Sequence, residues 1–197
     1  MTDARTNGIK ELRNKTQSSL LECKKALDEA CGDVAKASDI LRRRGLAIAE
    51  KKMDKAANQG RIGSYIHSNG KVGVLLELAC ESDFVAKNES FQELLKDICL
   101  QIAAMSPLVV SRDQLDQKII EQEKEFYRKE VKDKPPEIIE KIVEGKIEKQ
   151  FYTQRCLLDM PFVKDDKIKI GDLIKNHIAK FGENIVVKKF TRFEIGK

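Results

Sequence analysis

The sequence predicts an α+β fold: an N-terminal three-helix module, then an α+β core with a small antiparallel sheet and a helical hairpin. Apolar residues recur at helical spacing to about residue 45, and the period changes to two after Gly60. Helical spacing then returns until a strand-like run at Ile185 to Phe193. No strand–helix–strand alternation occurs, which separates the pattern from a parallel α/β sheet.

Ile9 and Leu12 mark a first helical stripe. Leu21, Lys24, Leu27 and Ala30 mark a second, turning at Cys31-Gly32-Asp33, and Val34, Ala37 and Leu41 a third. Asp33 has the chemistry of an N-cap, and Gly45 after three arginines that of a helix stop. Residues 46–59 lack an apolar face and read as a partly helical linker between a module at 1–45 and a core at 60–197.

Ile62 to His67 and Val72 to Ala79 form a β-hairpin around Asn69-Gly70, a dipeptide suited to a type I′ turn. Val72, Val74, Leu76 and Leu78 share one face of the second strand, so that face is committed to a core. Ser90 and Glu93 read as a capping box for a helix with the stripe Phe91, Leu94, Leu95, Ile98, Ile102 and Met105, ended by Pro107. Two charged helical patterns, split at Lys134-Pro135-Pro136, make a hairpin over 113–158. Its seams are Leu115, Ile119 and Phe126, then Ile139, Ile142, Val143, Ile147 and Phe151. A helix from Asp172 to Phe181 precedes the final strand, entered through Gly182-Glu183-Asn184. Strict alternation there places apolar residues on both faces, which suggests self-association through the sheet.

The 197 residues are 41% hydrophobic and 35% charged, a globular composition. No stretch approaches the roughly 18 apolar residues of a membrane span, and the charged N-terminus leaves no room for a secretion signal, so a cytoplasmic protein is expected. A net charge of +5 is too weak to imply nucleic acid. Five irregularly spaced cysteines fit free thiols rather than a disulfide framework or metal site.

No phosphate-binding glycine loop, HExxH, GxSxG or metal-spaced Cys/His cluster occurs, so neither bond-making catalysis, a metal nor a cofactor is expected. His67 and His177 read as surface or packing residues, and Glu77 and Asp83 are the carboxylates in the most apolar sequence settings. The basic run Arg42-Arg43-Arg44 with Lys51, Lys52 and Lys55 suits phosphates, an acidic protein surface or the C-terminal end of a helix. It lacks the interleaved aromatics of a base-stacking surface.

Cys80 to Asn88 joins the second strand to the capped helix. Phe84 there is either a wedge for another protein's groove or a side chain tucked under its own sheet, and Asp83 is a candidate cap.

At this segment the chain resembles the elongation factor Ts family, guanine-nucleotide exchange factors of elongation factor Tu. The shared stretches run in order along almost the whole chain. They include Lys10-Glu11-Leu12-Arg13, Cys23-Lys24-Lys25-Ala26-Leu27, Leu41-Arg42-Arg43-Arg44-Gly45-Leu46 and Gly63-Ser64-Tyr65-Ile66-His67. Further on come Cys80-Glu81-Ser82-Asp83-Phe84-Val85-Ala86, Pro161-Phe162-Val163-Lys164-Asp165 and Gly182-Glu183-Asn184-Ile185-Val186-Val187. Ser82 stands where the family usually has Thr and keeps the hydroxyl.

The resemblance implies a ubiquitin-associated-like N-terminal module and the short, single-core form of the family, acting as a homodimer. It implies that Phe84 enters a slot in the GTPase domain of elongation factor Tu, displacing the elements that hold Mg²⁺ and the β-phosphate. Asp83 would act at the rim, with Ser82 and Val85 fixing the wedge, while Leu20 and Leu21 dock on another helix of that domain. The competing reading is an adaptor with no effect on nucleotide.

Overall fold

Thr2–Thr16 (α1), Leu20–Glu29 (α2) and Val34–Lys52 (α3) open a computed structural model that describes residues 2–16, 18–133 and 135–196. Met1, Gln17, Lys134 and Lys197 lie outside the described residues. Leu12, Cys23, Ala26, Leu27, Ala30, Ala37 and Leu41 make the module's core. The stripe on α2 is therefore displaced from the expected one: Cys23 and Ala26 face inward, whereas Leu21 and Lys24 are in water. Asp33 caps α3 as expected, accepting from the N–H groups of Ala35 and Lys36 at 2.9 and 3.1 Å.

α3 does not stop at Gly45. It runs to Lys52, and Ala49 is fully buried in the main core. Gly45 lies where α3 meets the helix Ile170–Phe181 (α9), and a Cβ there would stand 3.0 Å from that of Ala179. Its small size serves close approach rather than termination. The arginines at 42–44 are consequently mid-helix, and Lys51 and Lys52 occupy the last turn instead. Arg44 reaches across to Glu22 and Glu29.

Gln59–Ile66 (β1) and Val72–Cys80 (β2) pair antiparallel from Gln59↔Cys80 to Ile66↔Gly73. The turn is not type I′, because within it only Gly70 has positive φ. Gly70 donates to the His67 carbonyl at 2.8 Å, and the Asn69 side chain accepts from Lys71 N–H at 2.9 Å. That Asx turn holds Asn69 at negative φ and gives a four-residue loop.

Ile185–Glu194 (β5) lies on the other side of β2, giving the order β1-β2-β5. A bulge shifts its register between Glu77↔Lys189 and Leu78↔Val187, leaving Lys188 unpaired. Alternation is thereby reset: Ile185, Val187, Phe190 and Arg192 lie opposite the inward β2 residues, and Val186, Lys189, Thr191 and Phe193 face out. The strict alternation expected for this strand is corrected accordingly.

One face of the sheet packs on Glu89–Met105 (α5) and α9, joining Leu76, Leu78, Phe91, Leu94, Ile98, Ile102, Ile174, Ile178 and Val187 in one core. Ser90 is not the cap of α5; Asn88 is, accepting from Ser90 N–H at 2.9 Å, while the Ser90 hydroxyl accepts from Lys180 at 2.7 Å. Gln101 is fully buried with both ends satisfied by Pro161 O and Val163 N. It clamps a two-stranded hairpin, Pro161–Phe162 (β3) with Asp165–Lys169 (β4), that the periodicity does not reveal.

The helical hairpin comprises Gln117–Glu130 (α6), Pro136–Lys146 (α7), a π-helical turn at Ile147–Phe151 and Tyr152–Arg155 (α8). Its core is Leu115, Ile120, Tyr127, Val143, Ile147, Phe151 and Cys156. The seam on α6 thus falls one residue later than expected, and Ile119 and Phe126 face solvent. Adjacent pairs at 119–120 and 126–127 fit a seven-residue spacing equally well. The Lys146 ammonium, 4.9 Å from the Tyr127 ring centroid, covers the inward residue. Hydrogen bonds from Leu108 to Arg155 and from Leu157 to Val109 close the hairpin's base. Among the described residues no helix is long and apolar enough to cross a membrane.

Candidate functional site: the strand-to-helix junction

Cys80 ends β2 inside the core, and the chain then turns at Ser82 into the short helix Asp83–Lys87 (α4). Ser82 is its N-cap. The hydroxyl lies 3.4 Å from Val85 N–H and donates to Glu183 Oε1 at 2.7 Å, while Ser82 N–H donates to Glu183 Oε2 at 2.9 Å. Val85 and Ala86 enter the main core, so one side of this single turn is fixed.

Phe84 occupies the opposite side and is 82% exposed. The tucked alternative is thereby removed. Its position follows from the helical period: with 85 and 86 directed inward, 84 faces out. Asp83 is exposed and does not cap the turn. It accepts from Lys87 at 2.6 Å, and that hydrogen bond holds its carboxyl below the ordinary range. Glu77 likewise lacks an apolar setting, because Lys189 lies 3.5 Å away.

Leu20 and Leu21 lie on a different element, the first turn of α2, each 60% exposed. Ser19 caps this turn by accepting from Glu22 N–H at 3.2 Å. The two apolar side chains are therefore held in water by a formed helix end.

His67 is exposed beside the Tyr65 hydroxyl, and His177 uses Nδ1 on the Leu173 carbonyl at 2.9 Å, with burial pulling its pKa down. Burial pushes the Cys99 and Cys156 thiols up to about 11, and Cys31 is the exposed cysteine. Among the described residues no group of three or more His, Cys, Asp or Glu is placed to hold a metal ion.

An exposed aromatic thus stands on a fixed turn, and an exposed leucine pair on a separate helix. The family model described as Elongation factor TS matches residues 5–197. The chain belongs to the elongation factor Ts family. Elongation factor Ts of Thermodesulfovibrio yellowstonii is 55% identical over 190 residues, covering 96% of this chain and 94% of that protein. The Anaeromyxobacter sp. protein of the same name is 50% identical over 199 residues, covering 100% and 90%. That of Thermotoga maritima is 52% identical over 189 residues, covering 96% and 94%. With the family comes its role as a translation elongation factor and nucleotide exchange factor, and the adaptor reading is not favoured.

Sequence reasoning missed Glu183. Glu183 lies in the shared stretch Gly182-Glu183-Asn184, yet a carboxylate next to a turn glycine gives no sign of its partner 101 residues away.

Proposed function

We propose that this chain accelerates GDP release from elongation factor Tu by seating Phe84 in an apolar slot of the GTPase domain, with no bond made or broken on either protein. The observation that carries this reading is the exposure of Phe84 on a turn whose other side is locked into the core.

GDP held at nanomolar affinity is bound by about 12 kcal/mol. A partner loosens it only by binding the nucleotide-poor state better, and linkage makes nucleotide loosen the partner by the same factor. Burying one Phe side chain yields about 1.5–3 kcal/mol, roughly a ten- to hundredfold effect, so the wedge does not balance GDP alone. It couples to displacement of the Mg²⁺-binding elements, and the remaining energy comes from the wider interface. Ser82 and Val85 hold the wedge from within the chain, Asp83 lies at the rim, and Leu20 and Leu21 supply affinity from the N-terminal module. The setting is cytoplasmic, where translation takes place.

The second element is a homodimer through the sheet. Ile62, Ile66, Leu75 and Phe193 are exposed on its outer face, with Ile66 and Phe193 flanking Gly73 in register. A two-fold contact burying this patch gives each partner the same gain. Release of fluorescent GDP from elongation factor Tu, with and without this protein, tests the exchange reading; equal rates would end it.

A further inference from the structure

Glu183 and Asn184 make a set of hydrogen bonds that the wedge reading does not use. The Glu183 carboxylate accepts both the N–H and the hydroxyl of Ser82, and Glu81 Oε1 in return accepts Asn184 N–H at 2.7 Å. Two adjacent residues of the junction are thus cross-linked to the two residues just before β5. Asn184 is itself buried, and its Nδ2 donates to the carbonyls of Met53 at 2.9 Å and Lys55 at 2.7 Å, just beyond α3.

α4 has five residues, too few for a helix to be stable by itself. Its direction must be imposed by its surroundings. Val85 and Ala86 fix one side by burial, but apolar packing alone lets a short turn rock. The Ser82 hydroxyl lies 3.4 Å from Val85 N–H, against 2.7 Å to Glu183, so the carboxylate and not the cap contact is the stronger restraint at the helix start. A carboxylate accepting two donors from one residue fixes both its backbone and its rotamer.

We propose that Glu183 is a positioning residue for nucleotide exchange: it sets the direction of the first turn of α4, and so aims Phe84 at its slot. The proposal rests on the wedge reading given above. Glu183 itself touches neither nucleotide nor partner in this role; it acts through Ser82.

The test uses the full chain and the variants Glu183→Ala, Glu183→Gln, Phe84→Ala and the double variant Glu183→Ala/Phe84→Ala. Two quantities are read: GDP release from elongation factor Tu at saturating variant, and hydrogen exchange of the Val85 and Ala86 amides. Glu183→Ala is expected to lower maximal release about tenfold, and in the Phe84→Ala background to cost less than about twofold, because the side chain it aims is gone. Glu183→Gln keeps the side chain's shape and one acceptor for the two Ser82 donors, so it falls between wild type and Glu183→Ala and serves if the alanine variant folds poorly. The two amides are expected to exchange about tenfold faster in Glu183→Ala. A full Glu183 effect in the Phe84→Ala background would overturn the proposal, as would unchanged exchange of those amides. Wild-type release by Phe84→Ala alone would instead defeat the wedge reading, an outcome visible without any Glu183 variant.

Discussion

Phe84 stands in solvent one residue before Val85, which is buried in the main core. Neighbouring side chains with opposite surroundings give opposite expectations on truncation. Phe84→Ala should leave the melting temperature within about 2 °C of wild type, because almost no buried contact is lost. Val85→Ala should destabilise by about 1–3 kcal/mol through the cavity it opens. Calorimetry of both variants checks the pair.

In the proposed reading Leu20 and Leu21 supply affinity from the N-terminal helices. Replacing both by Ser should raise the concentration needed for half-maximal exchange while barely changing the maximal rate, because docking that is equal in both nucleotide states contributes uniform binding. A titration of exchange rate against variant concentration separates the two parameters. Exchange still abolished at saturation would contradict this division.

The proposed homodimer uses the outer sheet face. Sedimentation equilibrium at micromolar concentration should report twice 22.4 kDa for the wild type. Phe193→Asp together with Ile66→Lys should shift the protein to monomer, since both flank Gly73 on the same exposed face. A wild-type monomer with full exchange activity would leave each copy acting alone.

The base of the helical hairpin gives an acid-stability prediction. Arg112 donates to both carboxylate oxygens of Asp159, at 2.8 and 2.7 Å, and these bonds hold Asp159 below the ordinary carboxylate range. A depressed carboxylate contributes stability that is fully present above its unfolded pKa of about 3.9 and is lost as pH falls through the lower folded value. Asp159→Asn should therefore cost about 1–2 kcal/mol at neutral pH, Arg112 being partly screened by water. The difference should vanish in the acid limb. Denaturant melts from pH 7 to pH 2 check both parts.

The parts of this fold written in local chemistry were legible. The pairing of β1 with β2, the Asp33 cap, the inward face Val74-Leu76-Leu78 and the α5 stripe from Phe91 to Ile102, though not Met105, each depend on residues within a turn or two of each other. What depended on tertiary partners was not. Gly45 looks like a helix stop until Ala179 is seen against it, and Ile119-Ile120 cannot be ranked without Tyr127 and its neighbours in place. The bulge at Lys188 exchanges the faces of β5 from Lys189 onward with no signal in its own sequence. At the junction, Phe84 could be located from the sequence, but its outward direction and its link to Glu183 came only with the core around Val85.

The wedge is tested most directly by GDP release from elongation factor Tu at saturating Phe84→Ala, measured with fluorescent nucleotide beside the wild type. A side chain that acts only in the nucleotide-poor state is worth about 2 kcal/mol there, so the variant should bind yet release GDP about thirtyfold more slowly than wild type. Release at the wild-type rate under saturation would contradict the assignment of Phe84 as the wedge.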